Sequence, residues 1–244
     1  MNFTAKERER FDFAVIARWI PPGERVLDLG CGDGRLLRYL RETKGVVGYG
    51  VEIDHERVLG CIRNDVDVIQ IDIERGLSGF EDHSFDHVII SQALQAMHAT
   101  ERILGEMLRV ADEAVVSFPN FAYQTNRQAI ASGHMPVSED LPYEWYDTPN
   151  VRFFTIADFE ELCDKLGIEV RERLAFDDAG QPVRDDRGRV LHRTQVVATK
   201  PVTVFDIRQT DGPPLPDPKI GEAVLLTGQA PSGLWDRLQG LLEG

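Results

Sequence analysis

The sequence is short of several things that would place it. Only three cysteines, Cys31, Cys61 and Cys163, occur in 244 residues, and they are scattered and odd in number. They support neither a disulfide framework nor a zinc site, and they suit a reducing compartment. No apolar run approaches the roughly 20 residues of a membrane helix. The first residues are charged (Lys6, Glu7, Arg8, Glu9, Arg10), so no signal peptide is expected and the expected location is cytoplasmic. Positive charge is also scarce. The chain has 27 Lys and Arg against 41 Asp and Glu, a net charge of -14. Nucleic acid and anionic membranes both call for a basic face, so neither is an expected partner. There are no internal repeats.

What is present is organised around Arg25 to Gly34, Arg-Val-Leu-Asp-Leu-Gly-Cys-Gly-Asp-Gly. Val26, Leu27 and Leu29 form the apolar run of a buried parallel strand. Gly30, Gly32 and Gly34 follow at every second position. Behind them Leu36, Leu37 and Leu40 share one helical face. Strand, glycine turn, helix is the first unit of a nucleotide-binding α/β domain. The dinucleotide fingerprint G-x-G-x-x-G fails, because its third glycine would fall on Arg35. The pattern here is Asp-x-Gly-x-Gly-x-Gly, led by Asp28. It is similar to the first motif of class I S-adenosylmethionine methyltransferases. A tight βα turn without a ligand is the bland alternative.

Further candidates stand at successive strand ends. Val46 to Ile53 reads as the second strand, and Glu52 lies about 20 residues past the glycines, where an acid receives ribose hydroxyls. Asp54 reads as the cap of the following helix. Asp72 ends the third strand at Ile71, with Ile73 beside it. It reads as an adenine contact or as a turn aspartate. Phe85 to Ile90 is the fourth strand, and Ser91-Gln92 follow at the carboxyl edge, where ligands bind in open α/β sheets. The expected cofactor set is therefore Asp28, Gly30, Cys31, Gly32 and Gly34 from the first unit, with Glu52, Ile53, Asp72, Ile73 and Ser91. His98 is the one obvious general base near that edge, and a surface histidine is its alternative.

The fold class that follows is α/β: a Rossmann-like, seven-stranded, mostly parallel sheet with helices on both faces. Residues 5–20 read as a leading amphipathic helix. Ala114 to Phe118 is the fifth strand, and Thr155-x-x-Asp158 marks a capping box opening the last helix. Ile168 to Phe176 and Val190 to Thr199 alternate like strands and would complete the sheet, the last strand running antiparallel between its neighbours. Residues 122–150 form an aromatic-rich insertion with Tyr143, Trp145 and Tyr146, which suit a lid, a pocket or an interface. The methyltransferase-like domain is placed at 1–200. The proline-rich remainder, 201–244, is set apart as a C-terminal extension.

Taken together, Arg25 to Gly34, Gly48-Tyr-Gly-Val-Glu-Ile-Asp54, Ser84-Phe-Asp86 with Ser91-Gln92, Ser117-Phe-Pro-Asn-Phe121 and Leu141-Pro-Tyr-Glu-Trp-Tyr-Asp-Thr-Pro-Asn150 resemble the MetW family of methionine biosynthesis. The likeness covers about residues 13–200. It implies the S-adenosyl-L-methionine methyltransferase fold, with that cofactor or S-adenosyl-L-homocysteine. It also implies support of a homoserine O-acyltransferase, MetX, as partner; a homodimer is left open. A free-standing methyltransferase for a small acceptor is the competing reading, with His98 as its base.

Overall fold

The computed structural model describes residues 5–138, 141–175, 202–209 and 224–226. The chain folds as two compact units, each discontinuous in sequence. One holds residues 1–19, 90–101 and 113–213; the other holds 20–89, 102–112 and 214–244. We call them the first and second unit. Neither coincides with a division at residue 200.

The second unit contains the βα repeats. It comprises β1 (Arg25–Leu29), α2 (Arg35–Lys44), β2 (Val47–Glu52), α3 (His55–Arg63) and β3 (Val68–Gln70), then β4 (Phe85–Ser91) and α4 (Thr100–Val110). β4 and α4 run on past the unit's edges. The helix α1 (Ala5–Trp19) precedes them in the chain. Strand order in the second unit is β4-β1-β2-β3-β8, where β8 is Val224–Leu226. β1, β2 and β3 pair in parallel, with Asp28 opposite Gly50 and Glu52 opposite Gln70. β8 closes this edge antiparallel to β3. Parallel strands covered on both faces are apolar throughout, and Val26, Leu27 and Leu29 are fully buried. Leu36, Leu37 and Leu40 bury the inner stripe of α2, which stops at the left-handed Gly45. Glu106, also buried in this unit, accepts from the Leu77 amide and pairs with Arg109.

The first unit contains β5 (Ala111–Pro119, from Glu113 on), α5 (Gln124–Ala131), α6 (Ile156–Leu166), β6 (Ile168–Ala175) and β7 (Val202–Gln209), as well as α1. β7 lies between β5 and β6 and runs antiparallel to both. The expected antiparallel strand between two neighbours is therefore present, formed by 202–209. Residues 190–199, expected to form it, lie outside the described residues. The boundary drawn at residue 200 falls just before this strand. The described residues hold eight strands where seven were expected, the extra one being β8. α6 opens on the expected capping box, Thr155 with Asp158, and closes on left-handed Gly167. Its Phe159 packs on Phe118 at 5.0 Å between ring centres, and Phe118 meets Phe154 at 4.5 Å. The insertion 122–150 is partly helical, since α5 lies within it.

Candidate functional site

The turn after β1 is left-handed at all three glycines, with φ of 69° at Gly30, 61° at Gly32 and 77° at Gly34. Side-chain-bearing residues adopt this backbone at a cost, so the alternate glycines are what lets the strand turn into α2. The turn is tied to the next strand: the Gly30 and Cys31 amides both donate to the Val51 carbonyl, at 2.8 and 3.1 Å. A Cβ on Gly32 would meet nothing within 4 Å. Gly32 therefore presents open backbone, as a loop does when a ligand must come close to it.

Glu52 ends β2 and is 5% exposed. Its carboxylate turns back onto main chain: Oε2 accepts from Gly32 N at 3.0 Å, and Oε1 accepts from Ile53 N at 2.9 Å and Asp54 N at 3.0 Å. The guanidinium of Arg57 lies 3.9 Å from Oε2. These donors offset the cost of burying the charge. A carboxylate has about four acceptor positions, so one remains for a ligand hydroxyl. Asp54 caps α3 as expected, accepting from Arg57 N at 2.9 Å.

Asp28 is 2% exposed. Burial first, and then the Glu52 carboxylate, pushes its pKa up to about 8. Near neutral pH it keeps its proton until a cation or donor arrives. Asp72 is half-buried. One oxygen accepts from Glu74 N at 3.0 Å as the cap of a short 3-10 turn, and Arg75 lies 3.6 Å from the other. Ile73 is buried, whereas Ile53 exposes 60% of its surface beside Glu52, and its carbonyl takes the Gln70 amide at 3.1 Å.

Cys31 packs behind the turn. Its sulfur lies 3.7 Å from that of Cys61, and the Cys61 thiol donates to the Gly32 carbonyl at 3.1 Å. The hydrogen bond with Cys61, then burial, pushes the Cys31 thiol well above its ordinary range. Cys31 is therefore held as a thiol rather than as a nucleophile. Cys61, Arg57 and Gly50 escaped the sequence reading. A Cβ on Gly50 would stand 2.4 Å from the Cys31 sulfur. The Gly-Tyr-Gly spacing before Val51 was the available signal.

Nine of the ten expected cofactor residues thus belong to the second unit. Ser91 falls in the first, where its hydroxyl lies 3.0 Å from that of Ser117. His98 is exposed, and its carbonyl accepts from Arg152. Tyr143, Trp145 and Tyr146 are also in the first unit and at the surface. Trp145 and Tyr146 are 69% and 70% exposed and meet edge to face at 5.6 Å. Among the described residues no group of His, Cys, Asp and Glu is placed to hold a metal, and no helix is long and apolar enough to cross a membrane.

The family model described as "Methionine biosynthesis protein MetW" matches residues 10–198. A relative from Rhodopirellula baltica, the bifunctional methionine biosynthesis protein MetXA/MetW, is 39% identical over 199 residues. That match covers 77% of this chain and 32% of the relative, so the chain spans about a third of that protein's length. Among solved structures, an S-adenosylmethionine-dependent methyltransferase from Archaeoglobus fulgidus superimposes with a TM-score of 0.62 at 16% identity, covering 84% of this chain and 95% of that one. The [4+2]-cyclase SpnF superimposes at 0.57 and 20% identity, covering 84% and 82%. At such identities the likeness establishes the fold alone, and the second neighbour is not named for methyl transfer.

Proposed function

The chain belongs to the MetW family of methionine biosynthesis proteins, and from that premise we propose that it binds S-adenosyl-L-methionine or S-adenosyl-L-homocysteine and supports or activates a homoserine O-acyltransferase of the MetX type. The observation that carries the cofactor half is the pairing of open Gly32 with the buried carboxyl of Asp28. Asp28 would take the ligand's ammonium group, which would draw off its proton. The remaining acceptor position of Glu52 would take a ribose hydroxyl, and exposed Ile53 would cover the base. Asp72 would receive the adenine amino group. Bound there, the cofactor supplies an activated methyl on a sulfonium. The residues at hand fit such a molecule better than a nucleotide phosphate, which the Glu52 carboxylate would repel.

The partner half rests on the R. baltica relative, whose name joins MetXA and MetW in one protein. The exposed Trp145 and Tyr146 are the surface that suits a docking partner, since such aromatics are enriched in binding cores. S-adenosylmethionine is made from methionine, so a cofactor-responsive partner would report pathway output to the acyltransferase.

The deciding experiment is calorimetric titration of S-adenosylmethionine into the protein with and without that acyltransferase. Affinity that rises with the partner means, by linkage, that the cofactor strengthens the complex. Affinity indifferent to the partner removes the sensor reading. In that case a free-standing methyltransferase with a small acceptor takes first place, to be sought by release of S-adenosylhomocysteine with His98 as its base.

A further inference from the structure

The loop that carries Trp145 and Tyr146 is held at both ends. At its start Leu141 is 6% exposed, its amide donates to Ser138 Oγ at 3.2 Å, and the Ser138 amide donates back to the Leu141 carbonyl at 3.0 Å. At its end the Val151 and Arg152 amides donate to the Gln95 carbonyl at 3.0 and 2.9 Å. Between these anchors the Glu144 carbonyl receives the Asp147 amide at 3.2 Å and the Thr148 amide at 3.1 Å, which closes a turn. All six residues from Pro142 to Asp147 are exposed. A loop tip so open to water is ordinarily polar. This one sets two aromatic rings edge to face on a hydrogen-bonded turn. Large apolar side chains gathered at the surface mark a place where something binds. Because the turn is already formed, little chain entropy is lost when it docks.

The charge of the tip is one-sided. Glu144 and Asp147, at the two ends of the turn, are both exposed. From Gln128 to Val151 the sequence carries Glu139, Asp140, Glu144 and Asp147 but no lysine or arginine. Two carboxylates beside two exposed rings set the chemistry of what covers them. The rings call for an apolar pocket, and the acids call for Lys or Arg on its rim. A second copy of this chain does not offer that. A twofold dimer closed through the tip brings Glu144 and Asp147 against the same residues of the copy, and the chain as a whole carries -14. An anionic membrane is repelled for the same reason.

We propose that the tip Tyr143 to Asp147 is a preformed plug that docks in a basic-rimmed apolar pocket of the partner enzyme. Trp145 and Tyr146 fill the pocket, and Glu144 and Asp147 steer the encounter. This deepens the partner half of the proposed function and rests on it. The two kinds of residue act over different ranges. Charges are felt across about 10 Å at 0.1 M salt, so the acids set the rate of association. Rings act only in contact, so they set how long the complex lasts.

The test is stopped-flow or surface-plasmon measurement of the full chain binding the homoserine O-acyltransferase of the same organism, at about 0.05 M and about 0.5 M sodium chloride. The double variant E144Q/D147N should associate about tenfold more slowly at low salt, with a flattened salt dependence and little change in dissociation. W145A should weaken binding about thirtyfold, mostly through faster dissociation. All three positions are exposed, so the thermal midpoint should stay with the parent in both variants, which separates lost binding from lost fold. Parent and E144Q/D147N associating at the same rate at both salts overturns the basic rim while the partner reading stands. Faster association of the double variant overturns it as well, since the facing surface would then be acidic. Failure of the parent itself to associate overturns the partner reading, and the proposal with it. Self-association of the parent that W145A abolishes overturns the proposal in favour of a second copy, and binding to phosphatidylcholine vesicles that W145A abolishes does so in favour of a membrane.

Discussion

The Gly32 amide donates to Oε2 of Glu52 at 3.0 Å, so the acid that ends the second strand holds the glycine turn that follows the first. The same carboxylate takes the Ile53 and Asp54 amides. Glu52→Ala would leave three main-chain donors unpaired in a shielded place. We expect a loss of about 2–4 kcal/mol in urea unfolding, against about 1 kcal/mol for Glu52→Gln, which keeps one acceptor oxygen. A Glu52→Ala protein as stable as the parent would mean that the turn stands without this carboxylate.

Asp28 makes a prediction about pH. Its folded pKa is raised to about 8 from the ordinary 3.8 by burial and Glu52. The folded state therefore holds a proton that the unfolded chain releases. The stability this contributes is complete below about pH 4 and is lost as pH rises through about 8. Asn cannot ionise. The thermal midpoint of Asp28→Asn should draw level with or pass that of the parent as pH rises from about 5 to about 9. Two curves that stay parallel across this range would contradict the assignment.

Gly50 and Gly32 should separate folding from binding. Gly50→Ala sets a Cβ 2.4 Å from the Cys31 sulfur and should destabilise by about 1–3 kcal/mol through overpacking. Cys31→Ala in the same chain should recover part of this loss, a coupling readable in a double-mutant cycle. Gly32→Ala meets no neighbour but strains a φ of 61°, a cost of about 1 kcal/mol. Under the proposed function, Gly32→Ala should lose S-adenosylmethionine binding out of proportion to that cost.

Trp145 and Tyr146 are mostly exposed, so replacing both with alanine should shift unfolding by no more than about 0.5 kcal/mol. Under the same proposal the double variant should no longer co-elute with the homoserine O-acyltransferase. Unchanged co-elution would move the docking surface elsewhere.

Local chemistry was enough for the sequence to determine the strand, glycine turn and helix of the first βα unit. Alternate glycines permit the left-handed turn, and the apolar run before them has no place but the interior. The stop of α2 at Gly45, the cap of α3 by Asp54 and the capping box of α6 are equally local, and the structure has all three. Tertiary structure decided what depends on distant partners. Val190 to Thr199 and Val202–Gln209 both alternate, and a period of two does not say which segment pairs with β5 and β6; the pairing belongs to 202–209. The acid at Glu52 was visible as a ribose candidate, yet the turn of its oxygens onto the Gly32 amide depends on how β1 and β2 align. The meeting of Cys31 with Cys61 depends on α3 lying against the turn. The exposure of Trp145 and Tyr146 is undecided in a sequence, because whether a loop aromatic packs inward or outward is a property of surroundings and not of residue type.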